Sequence, residues 1–372
     1  MAKIGIISMQ RVMNHGSFLQ AYALKKTVEN NIPDAECVFI DLPSNDKRKS
    51  DSSNTKTYID ILRFWYHKLS KHDAICHEYC LRWNYQKFRD IYRECLKDYL
   101  GVTDSRNYNT DYDAVIIGSD EVFNCTQEDA WWGASMMLFG EGVTTKNLIS
   151  YAASFGYTTE ERLFEFGLYD KVASNLGNFS AISVRDNNSE QIILKMIGLK
   201  PYKHLDPVFI YDFQRELKIK KKKKKYIVIY QYQNRINEQQ VIDEIKKIAH
   251  NTGCKIISVF EYSNWSDENV VCNPFEAMEY IRDAEYVITD TFHGCVMSIK
   301  HNKKFVALCR VSNRNKLMDV LHTFQLEKQL LTENEYIWDI LNHKIDWMQV
   351  NRTIEKQSED TICYLKNTLL EK

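Results

Sequence analysis

The residues best suited to chemistry stand at the ends of apolar runs. His293 lies in "TDTFHGC" (289–295), directly after the run "AEYVI" (284–288). A free imidazole has a pKa of about 6.5, so a side chain of this type can give or take a proton near neutral pH. Gly294 beside it is expected to let the backbone turn sharply into a following helix. Arg185 ends the apolar stretch of "FSAISVRDNNS" (179–189), where its planar fork can grip a carboxylate; a salt bridge to Asp186 or a neighbour is the plainer alternative. Ser119 and Asp120 end the run in "YDAVIIGSDEVFN" (112–124). Asp120 can orient a hydroxyl or act as a base, or it can simply cap a helix. Asn14, His15, Gly16 and Ser17 follow "KIGIIS" (3–8) and can present amides and side chains to a ligand, with ordinary turn chemistry as the alternative. His15 and His204 read as structural or exposed histidines rather than catalytic ones.

These residues need a scaffold that brings distant strand ends together. "KIGIIS", a loop and helix over 13–29, and "CVFIDL" (37–42) form a β-loop-α-β opening, which predicts a doubly wound sheet. Further apolar runs end in loops rich in Gly, Ser, Asp, Asn or Arg, and in such sheets ligands bind outside the carboxyl ends of the strands. Residues 57–100 carry no Gly or Pro and repeat Phe, Trp, Tyr and Leu at helical spacing. They predict a helical pair packed on the sheet, or a surface for a lipid or sugar ligand. A break follows at Lys220–Lys225, read as a solvated linker, with attraction to anionic lipid headgroups as the alternative. A second α/β series then runs through strands at 226–232, 255–260, 285–289 and 304–309, and 345–372 reads as helical. The expected domains are therefore 1–205, with the aromatic insertion at 57–100, then 206–345, with 346–372 packing back on the first.

Composition narrows the classes. The chain has 372 residues and a formal net charge of −1, so it lacks the global basic field of a nucleic-acid binder. The ten cysteines show no paired zinc spacing, and His72, Cys76, His77 and Cys80 read as helix residues rather than a metal site. No run approaches a transmembrane span, and the start resembles a strand rather than a signal peptide. A cytoplasmic protein is expected, peripheral to the inner face of a membrane if the lysine run touches lipid.

In order, "NHGSFLQAYAL", "DAVIIGSDEVFN", "SYAASFG", "SVRD", "LDPVF" and "ITDTFHGCVMSIKHNKKFVAL" resemble the polysaccharide pyruvyl transferase family over roughly residues 3–325. The resemblance implies two Rossmann-like domains in a GT-B-like arrangement with a central cleft. It also implies transfer of the pyruvyl unit of phosphoenolpyruvate onto two hydroxyls of a sugar in a cell-surface polysaccharide or its precursor. The product is a cyclic ketal, phosphate is released, and no cofactor or metal is required. The acceptor can be free or lipid-linked. With this resemblance, His293 and Asp120 become the catalytic candidates. Arg185, Asn14, Gly16, Ser17, Ser119, Thr291, Gly294 and Arg310 become the substrate-binding candidates. Some members carry Arg-Leu-His where this chain has Thr291-Phe292-His293, so one cation near the phosphate is either missing or supplied from elsewhere; some relatives also carry an arginine after the next strand, for which Arg310, Arg314 and Lys316 are candidates in "CRVSNRNKLMDVL". Two alternatives stand beside this reading: a nucleotide-sugar glycosyltransferase of the same architecture, and a catalytically silent glycan-binding subunit of an assembly complex.

Overall fold

Strands buried on both faces read as unbroken apolar runs, because helices cover both sides of a parallel sheet. "AVIIG", "LISYAA" and "YIVIY" are of this kind, and each lies inside a sheet. The computed structural model describes residues 2–43, 72–127, 134–218, 225–232, 235–309, 314–333 and 335–370, the side chains of 72–82 excepted. Arg310, Lys220–Lys224 and the first part of the aromatic segment (57–71) lie outside the described residues, as do the side chains of His72, Cys76, His77 and Cys80.

The first sheet contains β1 (Ala2–Ile7), β2 (Ala35–Phe39), β3 (Ala114–Asp120), β4 (Leu148–Ala153), β5 (Ser183–Val184) and β6 (Tyr202–Lys203), in the order β2-β1-β3-β4-β5-β6. The second contains β7 (Tyr226–Tyr230), β8 (Lys255–Val259), β9 (Glu268–Val270), β10 (Tyr286–Thr289), β11 (Phe305–Leu308) and β12 (Leu330–Leu331), in the order β12-β11-β10-β7-β8-β9. All neighbouring pairs are parallel. The described α-helices are α1 (His15–Asn31), α2 (His72–Cys95), α3 (Glu160–Glu165), α4 (Tyr169–Leu176), α5 (Asn187–Ile197), α6 (Pro207–Ile210), α7 (Gln239–Thr252), α8 (Pro274–Asp283), α9 (Phe292–Lys300), α10 (Arg314–Thr323), α11 (Ile337–Asn342) and α12 (Trp347–Leu370). None is long and apolar enough to cross a membrane.

The strand orders locate the site. Each sheet reverses its order once, between β1 and β3 in the first and between β7 and β10 in the second. A crevice opens at the carboxyl ends where the order reverses. The loops there are Ser8 to Asn14 and Asp120 onward in the first sheet, and Gln231 and Asp290 to Thr291 in the second. Between the sheets lies α1, and every residue from His15 to Leu24 is buried. Phe18 and Tyr22 meet Phe275 of α8 at 5.6 and 5.1 Å between ring centroids. One apolar cluster therefore runs through both sheets, from Ile4 and Ile116 to Val228 and Val287. Toward the C-terminus, α12 lies along the first sheet. Tyr364 donates from its hydroxyl to the Ser150 carbonyl (2.7 Å), and Asn147 donates from Nδ2 to the Thr368 carbonyl (2.7 Å).

Of the aromatic segment expected as a helical pair, residues 72–100 form one helix and the rest lies outside the described residues; α2 runs on through a π-turn at Leu96–Leu100 and stops at Gly101, whose φ of +69° closes a left-handed cap. One local expectation changes. The helix expected from about 294 begins at Phe292, because the Thr291 hydroxyl accepts the Gly294 N–H at 2.9 Å and caps it. Gly294 therefore lies in helical backbone and makes no sharp turn. Glycine is required there by close approach, since a Cβ would sit 2.1 Å from Thr289 Oγ1.

Candidate active site

His293 lies in the first turn of α9 and reaches from the second sheet toward the first. Its ring rests against Gly16 at the start of α1; a Cβ on Gly16 would stand 2.1 Å from His293 Nδ1. The other ring nitrogen, Nε2, points to Asp206 Oδ2 at 3.6 Å, beyond hydrogen-bond length, and has no hydrogen-bond partner among the described residues although it is buried. Asp206 itself is fully enclosed. Its Oδ1 accepts the Val208 N–H (3.0 Å) and caps α6, while Oδ2 accepts from Arg185 (3.1 Å).

Arg185 joins the two carboxylates of the site. One guanidinium nitrogen donates to Asp206 and another to Asp120 Oδ1 at 3.3 Å, while Nε has no partner among the described residues. The guanidinium lies over the Phe292 ring, 4.3 Å from its centroid, a cation–π contact that holds the fork flat. Asp186 is not its partner. That carboxylate caps α5 by accepting the Ser189 N–H (2.8 Å). Asp120 ends β3 with φ +76°, a strained conformation for a non-glycine residue, and caps no helix. Its Oδ2 accepts from the Ser17 hydroxyl at 3.0 Å. Asn14 caps α1 through Ser17 N–H (2.7 Å) and steadies the Ser17 hydroxyl through Nδ2 (3.0 Å).

Charge balance follows from this geometry. Burial pushes the Asp120 carboxyl up, but Arg185, His293 and Lys316 outweigh it and hold the group below the usual carboxylate range. Asp206 behaves alike: burial raises it, and the His293 imidazole and Arg185 bring it lower. For Arg185, burial opposes the charge and Asp120 and Asp206 more than restore it. Both carboxylates are thus ionised at neutral pH.

The structure therefore brings together His293, Asp120, Arg185, Asn14, Gly16 and Ser17. It places the others differently. Ser119 is buried and donates to Gln20 Oε1 (2.8 Å), away from the cleft. Thr291 and Gly294 form the cap of α9. His15 and His204 are structural; burial pushes each down to about 4. Asp206 is the residue that sequence reasoning missed. Of the expected cations, Lys316 in α10 reaches the first sheet and bonds Glu121 Oε1 at 2.6 Å. It lines, with Arg185 and Phe292, a space of only about 20 Å³. A larger cavity of about 570 Å³ opens past Asn14 and Tyr232.

Two solved structures show how this framework compares. The UDP-GlcNAc 2-epimerase of Neisseria meningitidis, bound to UDP-GlcNAc, superimposes with a TM-score of 0.53 at 9% identity, covering 100% of each chain. The S. aureus MnaA–UDP co-structure superimposes with a TM-score of 0.52 at 10% identity, covering 99% of this chain and 97% of that one. Paired parallel sheets and these neighbours define a two-domain α/β protein of the GT-B-like fold. No curated protein matches the chain. The family profile for polysaccharide pyruvyl transferase matches residues 14–308, a span that includes Asn14, Asp120, Arg185, Asp206 and His293. The chain belongs to the polysaccharide pyruvyl transferase family.

Proposed function

We propose that the protein transfers the pyruvyl group of phosphoenolpyruvate onto two hydroxyls of one sugar, forming a cyclic ketal and releasing phosphate. The observation that carries this reading is the approach of His293, from one sheet, to Asp206 and Arg185 from the other. It joins a proton carrier to a fork for an anion at the seam where both strand orders reverse. The donor needs both, since it is a small anion and its C3 must gain a proton.

In this reaction C3 takes one proton and becomes a methyl group. The two acceptor oxygens form two bonds to C2, the bond from C2 to the phosphate oxygen breaks, and phosphate departs. Of the two hydroxyl protons released, one balances the proton gained at C3 and the other leaves with phosphate. His293 carries protons between acceptor and donor, with Asp206 stabilising the imidazolium when it forms. Asp120 is too weak a base to do this, because its neighbours hold it ionised. It accepts a hydrogen bond from an attacking hydroxyl and orients it. Arg185 binds the donor carboxylate, exchanging one of its carboxylate partners for the ligand, and Lys316, which lines the same space, is a further cation for the phosphate. The space beside Arg185 is smaller than the donor, so binding involves displacement of α10 or a swing of Arg185 toward the larger cavity.

Incubation with phosphoenolpyruvate and a panel of glycans tests the reading. Acceptor-dependent phosphate release, with a product heavier by one pyruvyl ketal, is the expected result. Release of a nucleoside diphosphate from a nucleotide sugar, with no use of phosphoenolpyruvate, overturns it.

A further inference from the structure

The cavity of about 570 Å³ is lined by Asn14 and walled by both halves of the chain. Its volume falls in the range of about 300–1,000 Å³ of small-molecule sites. Tyr85 and Phe88 come from α2, and Tyr232 and Phe260 follow β7 and β8. Phe260 has φ +86°, an outlier for a bulky residue and a strain of the kind retained at ligand-binding positions. Its ring meets Tyr232 at 5.3 Å and Phe88 at 4.8 Å. Between the rings stand neutral amides. Asn84 and Gln127 line the cavity with side chains that make no hydrogen bond among the described residues, while Asn14 links it to Ser17 and Asp120. Asp120 also opposes ionisation of Tyr232, after burial, which places the two groups within electrostatic reach.

We propose that this cavity binds a neutral pyranose of the acceptor glycan, a proposal that rests on the pyruvyl-transfer reading. A pyranose has apolar C–H faces and a rim of hydroxyls. Aromatic rings with polar tips cover the faces, and amides, which donate and accept at once, match adjacent hydroxyls. Among the described lining residues the charges are Arg235 and Glu261, one of each sign, so they do not select for an anionic ligand. The Asn84 and Gln127 amides disfavour a bare lipid chain, because they would find no partner on it. The transfer chemistry makes no use of the aromatic helix at the cleft. Acceptor binding does, because that helix presents Asn84 and Tyr85 to the sugar.

Saturation-transfer NMR and calorimetry on the full chain test this, using neutral oligosaccharides ending in galactose, glucose, mannose or N-acetylhexosamine. Phosphoenolpyruvate is titrated in parallel. At least one saccharide should bind, and Tyr85→Ala and Asn84→Ala should each weaken it about tenfold, the loss typical of an interface anchor. Tyr85 is 60% exposed, so its truncation leaves folding intact, and donor affinity should stay within about twofold. Binding of no saccharide to the wild-type chain, or equal binding by both variants, overturns the proposal. If saccharide binding responds as expected while phosphoenolpyruvate does not bind, the cavity assignment stands and the donor assignment falls.

Discussion

His15 and His293 are both buried at the seam between the two sheets, and Gly16 lies between the helix turn that carries one and the ring of the other. Their surroundings differ in kind. Around His15 are the rings of Phe88, Phe260 and Tyr230, and its nitrogens meet the Cys272 carbonyl (3.0 Å) and the Tyr230 hydroxyl (3.3 Å). With no carboxylate to offset burial, its pKa falls to about 4 and it stays neutral at physiological pH. His293 instead faces Asp206, with Arg185 beyond, and keeps one nitrogen without a hydrogen bond among the described residues. Burial alone therefore says little about what a histidine does. The neighbouring charge and the unused nitrogen are what suit His293, and not His15, to the proton-carrying role proposed above.

The sharpest way to break this contrast is to replace each ring with an amide. His293→Gln should lower turnover by about 10²–10⁴ without lowering the melting temperature, the loss expected when an acid–base group goes. His15→Gln should keep turnover within about threefold while destabilising the fold. Reversal of the two outcomes, read in phosphate release and thermal denaturation, would exchange their roles.

Gly16→Ala probes the space between them. The added methyl would overlap the His293 ring, and a displacement near 1 Å costs about 10² in rate. Turnover should fall by that order, with phosphoenolpyruvate affinity much less affected. A fully active Gly16→Ala enzyme would show that the position of the ring is unimportant.

Acid stability sharpens the comparison from the His15 side. In the unfolded chain the imidazole takes its proton near 6.5, and in the folded chain only near 4. Between those values the unfolded state binds more protons, so stability is lost as pH falls through that window, by about 3 kcal/mol. Urea titrations at pH 7 and pH 4.5 should show a smaller loss for His15→Gln than for the wild type. Equal losses would assign the acid sensitivity to other groups, His301 and then His204, which burial pushes down to about 3 and about 4.

Lys316→Gln should have the smallest effect. The Lys316–Glu121 pair is part-exposed, and such pairs are worth about 0–1 kcal/mol. The KM for phosphoenolpyruvate should rise, by no more than about fivefold. A fall in KM would instead mark the pair as a latch that the donor has to open.

Much of this architecture was legible from the chain. Buried parallel strands announce themselves as apolar runs, and Asn14, Asp120, Arg185 and His293 all stand where those runs end. Short or polar elements were not legible. β9 reads "ENV" and β12 is two residues long, too little for any periodicity. Asp206 stayed hidden because Asp before Pro looks like a helix cap, and it is one. Its Oδ1 caps α6 while Oδ2 meets Arg185 and faces His293, and that second role depends on a contact between distant parts of the chain. Gly294 misled in the opposite way. A glycine after a histidine suggested a turn, whereas the constraint is the nearness of Thr289.

The burial of His15–Leu24 on all sides of α1 has a consequence for how the protein comes apart. Phe18 and Tyr22 belong to the first sheet's opening unit, yet Phe275 of the second half covers them. A fragment cut off before β7 would present these rings to water, and the second half alone would lose the surface on which Phe275 rests. Neither half is then an autonomous folding unit. The chain should melt in a single cooperative transition, with the amides of Leu19–Leu24 among the slowest to exchange with deuterium, because nothing short of global unfolding exposes them.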